Sequence, residues 1–499
     1  MLQALLALAI ISFIVLYLTI RRKYDYWKDR GIPYETPMLL IGNLSFILRK
    51  SLWDFFNDLH EKYNCDYFGI FLGLKPVLVI QSPELAKKVL LKEYESFQNR
   101  YLYASYEADP LGSLNLFTVK NPIWLEMRHE LSPIFTTMRL KAIGELMNIN
   151  SEELVKKIQR DYIDNKQSVD LKELFSMYTS DTVGYSVFGL RVSALKDATS
   201  PLWFITRHMV RWTFWRGFEF TMIFLVPALA KLLRLKFFSE PATDYIKKVF
   251  WDVVEERKNS GKQSKRDLVE HLIKLKEKLR LPADSPQLAD DLMLAQVAVF
   301  ILGAIETSST TLSLCLHELA HHPEEQEKLY QEVKEALETS GKDVLQYSDL
   351  AELKYLTACI LETLRKYPPL PYLDRMCNKT IKLNDEVTIE EGTPVFVNTV
   401  ALHHSEKYYP KPTQWNPERM LNVSDNDNLG FTFLPFGEGP RFCIGKRYGV
   451  LQVRTALAQM VAKYKFDPCP DEPYHVEFDP YSLLISPKTG GKVKFVPRL

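Results

Sequence analysis

From Leu292 to Ile305 the chain reads LMLAQVAVFILGAI, with no charged side chain and Gln296 as its one larger polar residue. A helix of that composition has no face to offer water, so it must run through the interior of a large body. Its limits are marked. Ser285 can cap it, Pro286 suits its first turn, and Pro323 ends it. Everything else has to be built around this rod. Directly after the apolar run stand Glu306 and Thr307, and a carboxylate there is costly unless it is paired or used.

The last turn of the same helix reads HELAH, 317–321. Two histidines one turn apart with a glutamate after the first form a zinc-protease signature. A zinc centre would need a third ligand and an open coordination position. The downstream carboxylates, such as Glu338, lie on a charged amphipathic stretch, EEQEKLYQEVKEALE, that reads as surface. Histidines in a final turn are also favoured by the helix dipole. A zinc metallohydrolase is therefore kept only as an alternative.

The chain has 499 residues and a formal net charge of +1, enough length for a large core. It lacks the basic excess that nucleic-acid binding requires. Its 6 cysteines show no short repeated spacing, which points to reduced thiols rather than a disulfide framework. Residues 1–20 carry no charge and as a helix would span about 30 Å, a bilayer core. Arg21, Arg22 and Lys23 follow, so the expectation is a single N-terminal anchor with the body on the cytosolic side; a buried core helix is the alternative. Gly31, Pro33 and Pro37 suggest a hinge of restricted flexibility over 21–37, leaving 38–499 as one catalytic domain. Segment 257–267 reads as a solvated loop. Segment 218–238 is apolar enough either to pack in the core or to dip into the membrane. Helical spacing recurs at 141–163 and 324–338, with strand-like stretches at 68–80, 387–398 and near the C-terminus. The expected fold class is mainly α with small β-sheets.

One stretch carries chemistry: FLPFGEGPRFCIGKRYG, 433–449. Gly437 and Gly439 permit a tight hairpin or bulge, and a helical pattern follows Ile444. Cys443 thus lies where a glycine-shaped loop meets a helix N-terminus, a place that favours a thiolate. Such a cysteine is a metal ligand, a nucleophile, or an inert buried thiol.

Phe436, Gly437, Gly439, Arg441, Cys443 and Gly445 resemble the haem-binding loop of the cytochrome P-450 superfamily, F-x-x-G-x-R-x-C-x-G. The resemblance implies that Cys443 is the axial ligand of haem iron, that Arg441 pairs with a propionate, and that Gly445 lets the following helix approach the macrocycle. Glu362 and Arg365 are similar to the family's E-x-x-R pair, and Arg419, in WNPERM, to the arginine that completes a structural triad; Met420 stands where phenylalanine is usual. Trp124 and Arg128 look like the W-x-x-x-R pair that reaches a propionate, with Leu125 in place of a common basic residue, and Arg375 resembles a further propionate partner. Gly303 to Ser308 is similar to the oxygen-activation motif, in which Glu306 and Thr307 would relay protons; Ala304 replaces the usual glycine. Thr307 bonding a backbone carbonyl one turn back is the alternative.

By the same resemblance, substrate contacts fall to Phe97, Tyr103, Phe117, Trp212, Phe214, Leu370 and Leu483, an apolar, aromatic set suited to lipophilic ligands. Aromatic residues at such spacing are equally at home in a core. The details look most like insect microsomal members that detoxify xenobiotics such as plant toxins or insecticides. The implied activity is monooxygenation with heme b (iron protoporphyrin IX), at the endoplasmic reticulum membrane. The chain carries no G-x-G-x-x-G fingerprint, so electrons from NADPH would come through a partner reductase, with cytochrome b5 as a second donor and Lys446 and Arg447 near the docking face. A haem-thiolate isomerase or carrier of the same fold is the other alternative. Sequons at Asn43, Asn378 and Asn422 are expected to stay unmodified on a cytosolic body.

Overall fold

The computed structural model describes residues 2–498 apart from 49, 191, 198–199, 211, 261–266, 279–285, 425–426 and 489–490. The apolar run lies inside one helix, Pro286–His321. The expected cap, Ser285, falls outside the described residues. This central helix packs on Leu171–Phe188 and on Lys446–Lys463, the helix that follows the glycine-rich loop. Leu292, Ala295, Val297, Ile301 and Ile305 are each 3% exposed or less. Gln296 is buried as well and spends its amide on Leu292 O, Leu114 O and the Leu116 N–H. The single polar residue of the run therefore stitches the helix to the loop before Trp124.

Strands form within the three stretches the sequence pointed to, and further ones at Val169–Asp170, Tyr372–Met376, Ile381–Lys382 and Tyr464–Pro468. Tyr67–Leu72 and Lys75–Ile80 form a hairpin turning at Gly73, whose φ is +61°. Pro394–Asn398 joins it in parallel, and Tyr372–Met376 closes the sheet antiparallel at the edge. Tyr372–Met376 reads YLDRM, whose polar pair hides a strand; all but its last residue are buried. A second, antiparallel sheet joins Val169–Asp170, Lys492–Pro497 and Tyr464–Pro468.

At the N-terminus, Leu2–Lys23 is a single helix whose apolar side chains from Leu5 to Leu18 lie uncovered, as a membrane anchor requires. Residues 24–37 are packed onto the body. Trp27 is 1% exposed and donates from Nε1 to Ile70 O at 3.1 Å. Its ring fills the space that any side chain at Gly69 would need. Arg30 pairs with Glu390 at 2.5 Å, and Lys62 with Glu35 at 2.7 Å. Glycine and proline here fix bends instead of granting freedom, and packing against the body reaches back to Tyr24. Asn43 is buried, with Oδ1 accepting the Phe71 N–H at 2.7 Å.

Segment 218–238 belongs to two helices and a turn that face both ways. Phe220, Ile223, Phe224, Phe237 and Phe238 are buried, whereas Leu232 and Leu233 are 76% and 49% exposed. Part of the expected loop at 257–267 lies outside the described residues, but its ends are clasped by Arg257 and Asp267, 2.6 Å apart.

Candidate functional site

The cysteine loop is shaped by two left-handed glycines, Gly437 at φ +68° and Gly439 at φ +73°. They return the chain on itself so that the Gly437 N–H donates to Leu434 O and the Cys443 N–H to Phe436 O. A side chain at Gly439 would strike Leu90 O, which requires glycine there for the loop to close. The Gly445 N–H reaches the Cys443 sulfur just before the helix Lys446–Lys463 begins. By area Cys443 is exposed, yet protein atoms surround it, because its open side faces an internal cavity. Burial pushes its thiol up, while the Gly445 N–H, Arg128, Arg100 and Lys446 pull it back down. A cation at the sulfur would complete the shift to thiolate.

That cavity holds about 2130 Å³ of space, counting its open mouths. Cys443, Phe436, Gly437 and Gly445 line it from the loop, and Gly303, Ala304 and Thr307 from the central helix. Arg100, Arg128, Arg375 and Arg441 line it too, and no acidic side chain does among the described residues. Trp124 supports this rim: its ring lies 4.1 Å from the Arg441 guanidinium. Arg128 donates to Phe442 O at 3.0 Å, and Arg441 to Gln98 O, Val119 O and Asn99 Oδ1. One buried carboxylate, Asp374, answers this charge, accepting from Arg100 at 3.1 Å and from the Tyr101 N–H at 2.6 Å. Burial and mutual repulsion lower Arg375 to about 10 and Arg441 to about 9. Burial also lowers the neighbouring Lys120 to about 8. Among the described residues Arg375 Nε has no hydrogen-bond partner.

A rim with this surplus of guanidinium calls for a ligand with more than one anionic group. The glycines leave room for something flat beside the sulfur: a Cβ at Gly445 would meet only Cys443 Sγ, at 4.0 Å, and one at Gly303 would meet nothing. A soft sulfur donor, a planar space and a cationic rim fit haem and its propionates.

Behind the loop, Glu362 and Arg365 are fully buried and bidentate, both contacts at 2.8 Å. Arg365 also donates to His403 O and Pro412 O, Glu362 accepts the Asn416 N–H, and Arg419 stands 3.5 Å from Glu362. The three residues thus meet as the motif spacing predicts.

Thr307 lines the cavity and donates to Gly303 O at 2.6 Å, the backbone bond that helical threonines commonly make. Glu306 does not line it. The carboxylate, 1% exposed, turns away to Lys172 Nζ at 3.0 Å. Among the described residues its oxygens have no hydrogen-bond partner beyond this ion pair with Lys172.

A family model described as Cytochrome P450 matches residues 32–495. The chain belongs to the cytochrome P450 family. It is 33% identical to cytochrome P450 6k1 of Blattella germanica, over 98% of this chain and 97% of that protein. It is 30% identical to probable cytochrome P450 6g2 of Drosophila melanogaster, covering 97% and 96%, and 33% identical to probable cytochrome P450 6w1 of the same species, covering 95% and 94%. Membership makes the chain a monooxygenase and implies haem-thiolate iron.

Within this P450 the expected substrate residues divide. Phe117, Trp212, Leu370 and Leu483 line the cavity. Phe97, Tyr103 and Phe214 do not: Phe97 is wholly buried under the sheet, Tyr103 is held by its backbone to Ile223, and Phe214 packs outside against Trp215 and Tyr481. Residues that sequence reasoning passed over are Phe220, Phe224 and Phe237 in the cavity wall, Arg100 and Asp374 at the rim, and Lys172 behind Glu306. The apolar run of 218–238 was a signal for the phenylalanines; nothing local marks Lys172.

The HELAH turn is occupied by other bonds. His317 Nε2–H donates to Tyr474 O at 3.0 Å, and Glu318 accepts from Lys366, Tyr367 and Tyr474.

Proposed function

We propose that this P450 oxidises lipophilic small molecules of the xenobiotic, plant-toxin or insecticide type, with heme b held by Cys443. In this reading electrons arrive from NADPH through a partner reductase, with cytochrome b5 as a second donor, and the body lies on the cytosolic face of the endoplasmic reticulum. The observation that carries it is Cys443 Sγ opening into a cavity rimmed by four arginines and walled mostly by apolar side chains, with Ser186, Thr307, Ser308, Thr311 and Tyr448 as uncharged polar members. The haem, when bound, supplies dioxygen activation, which a thiolate ligand favours.

The chain's own residues would do the rest. Arg441, Arg375, Arg128 and Trp124 hold the carboxylates, and Arg100 shares that load from its bond to Asp374. Phe117, Phe220, Phe224 and Phe237 form a cluster with contacting centroids 5.0–6.0 Å apart, excluding water and gripping flat or greasy ligands. Thr307 keeps its oxygen lone pairs free after donating to Gly303 O, so it can accept and pass a proton in the cavity. Glu306 stands behind it and can replenish that proton only when its pair with Lys172 opens.

The test is the carbon monoxide difference spectrum of the dithionite-reduced protein. A strongly red-shifted Soret band, lost in Cys443→Ala, is the expected result. Folded, haem-loaded wild type without that band would sink the reading.

A further inference from the structure

The HELAH turn takes no part in the site above, yet the C-terminal segment ties it there. Residues 476–488 fold back into a narrow loop, in which the Lys488 N–H donates to Glu477 O at 2.8 Å and the Asp479 N–H to Ser486 O at 2.9 Å. The tip of this loop brings Leu483 and Leu484 into the cavity wall. On its outer side Tyr481 lies against Gly217, close enough that a Cβ there would come within 2.7 Å of Tyr481 O.

The base of the loop is Tyr474. Its hydroxyl donates to Glu318 Oε2 at 3.0 Å and accepts from Lys366 Nζ at 3.0 Å. Its carbonyl accepts from His317 Nε2 at 3.0 Å, and because a carbonyl only accepts, the proton sits on Nε2. The other oxygen of the fully buried Glu318 takes Lys366 Nζ at 2.7 Å and Tyr367 OH at 2.6 Å. Three separate stretches meet at this carboxylate: the end of the central helix, the end of the helix carrying Glu362 and Arg365, and the loop. Leu314, Tyr367, Phe478 and Ile485 form a small apolar core of their own, and the Ile485 N–H donates to Pro369 O at 3.1 Å.

We propose that Glu318 and Tyr474 are positioning residues for the substrate, fixing the depth at which Leu483 and Leu484 stand in the cavity. Tyr474 is 42% exposed, so its ring adds little burial. What it contributes is two hydrogen bonds to buried charged groups, the strong kind. A loop tip that loses its base drifts, and a shift of about 1 Å in a pocket wall is enough to change which atoms are presented for reaction.

The proposal rests on the haem-thiolate reading for its readout, and the two fail differently. Full-length, haem-loaded protein in phosphatidylcholine vesicles is titrated with imidazole and with 1-phenylimidazole, following the Soret shift. Imidazole is the short probe, and 1-phenylimidazole extends it by a phenyl group into the apolar cavity that Leu483 and Leu484 line. In Tyr474→Phe, imidazole affinity and the carbon monoxide band should match wild type. The 1-phenylimidazole dissociation constant should change by about threefold or more. Amides of 476–488 should exchange about tenfold faster. Glu318→Gln should show the same pattern, which keeps the test available if the first variant folds poorly. Equal affinity ratios in wild type and variant, or unchanged exchange of 476–488, would overturn the proposal. A wild type without the thiolate-type band would instead overturn the function assigned above.

Discussion

Replacing Glu362 by alanine isolates what the buried pair contributes. Arg365 is 0% exposed and loses both of its 2.8 Å contacts to the carboxylate. Its remaining acceptors are the neutral carbonyls of His403, Pro412 and Gln414. An uncompensated buried charge costs about 4 kcal/mol, and the orphaned Asn416 N–H adds about 1 kcal/mol. The sum, about 5 kcal/mol, is at least a third of the ~5–15 kcal/mol that holds an ordinary domain together. Urea unfolding followed by near-ultraviolet circular dichroism measures it, with the carbon monoxide band reporting whether the Cys443 loop survives. Glu362→Gln should lose less, since it keeps an acceptor for Arg365 and Asn416. A loss below about 1 kcal/mol in Glu362→Ala, the scale of a solvated surface pair, would refute the account.

Two further outcomes follow from local geometry. His403 and His404 are both held at about 3, chiefly by burial. His403 is committed as neutral, its Nδ1–H donating to Arg365 O and its Nε2 accepting the Leu434 N–H. Unfolded histidine titrates at 6.5, so between pH 6.5 and 3 the unfolded state binds protons that the folded state refuses. Stability is fully present above 6.5 and falls by about 1.4 kcal/mol per pH unit for each histidine as pH drops through that window; the denaturation midpoint at pH 5.5 against 7.5 checks this, and equal midpoints would contradict it. Gly439→Ala should be far more harmful than Gly437→Ala. Both strain a left-handed position at about 1–2 kcal/mol, but only at 439 does the methyl strike Leu90 O, whereas at 437 the nearest atom is 3.6 Å away. Haem retention on heating separates the two, and equal loss would mean the loop does not bear on Leu90.

What could be read from the sequence was what lies close along the chain or follows a period. Glu362 and Arg365 are three apart on one helix, Trp124 and Arg128 four apart, and the Cys443 loop carries its own glycines. The central helix announced itself by lacking charge. Contacts across long separations left no local trace: Lys172 meets Glu306 from 134 residues away, and Arg100 meets Asp374 from 274. That is also why the side of the helix to which Glu306 turns was not legible. The direction of a carboxylate depends on which cation waits nearby, and periodicity gives only the face. Phe97 and Phe214 show the same limit from the apolar side, since an aromatic residue serves a core, a pocket or a surface with equal propensity.

The seat of Trp27 over Gly69 turns the start of the chain from a leash into a spindle. Turn-type bonds continue from Lys23 through Tyr26, so no slack separates the first helix from that seat. Length and angle are then coupled. One residue inserted between Lys23 and Trp27 would swing the body by about 100° around the axis of the first helix, where in a flexible tether it would add only reach. The mouths of the cavity keep a set compass bearing relative to that axis, and the bearing is written in a count of residues.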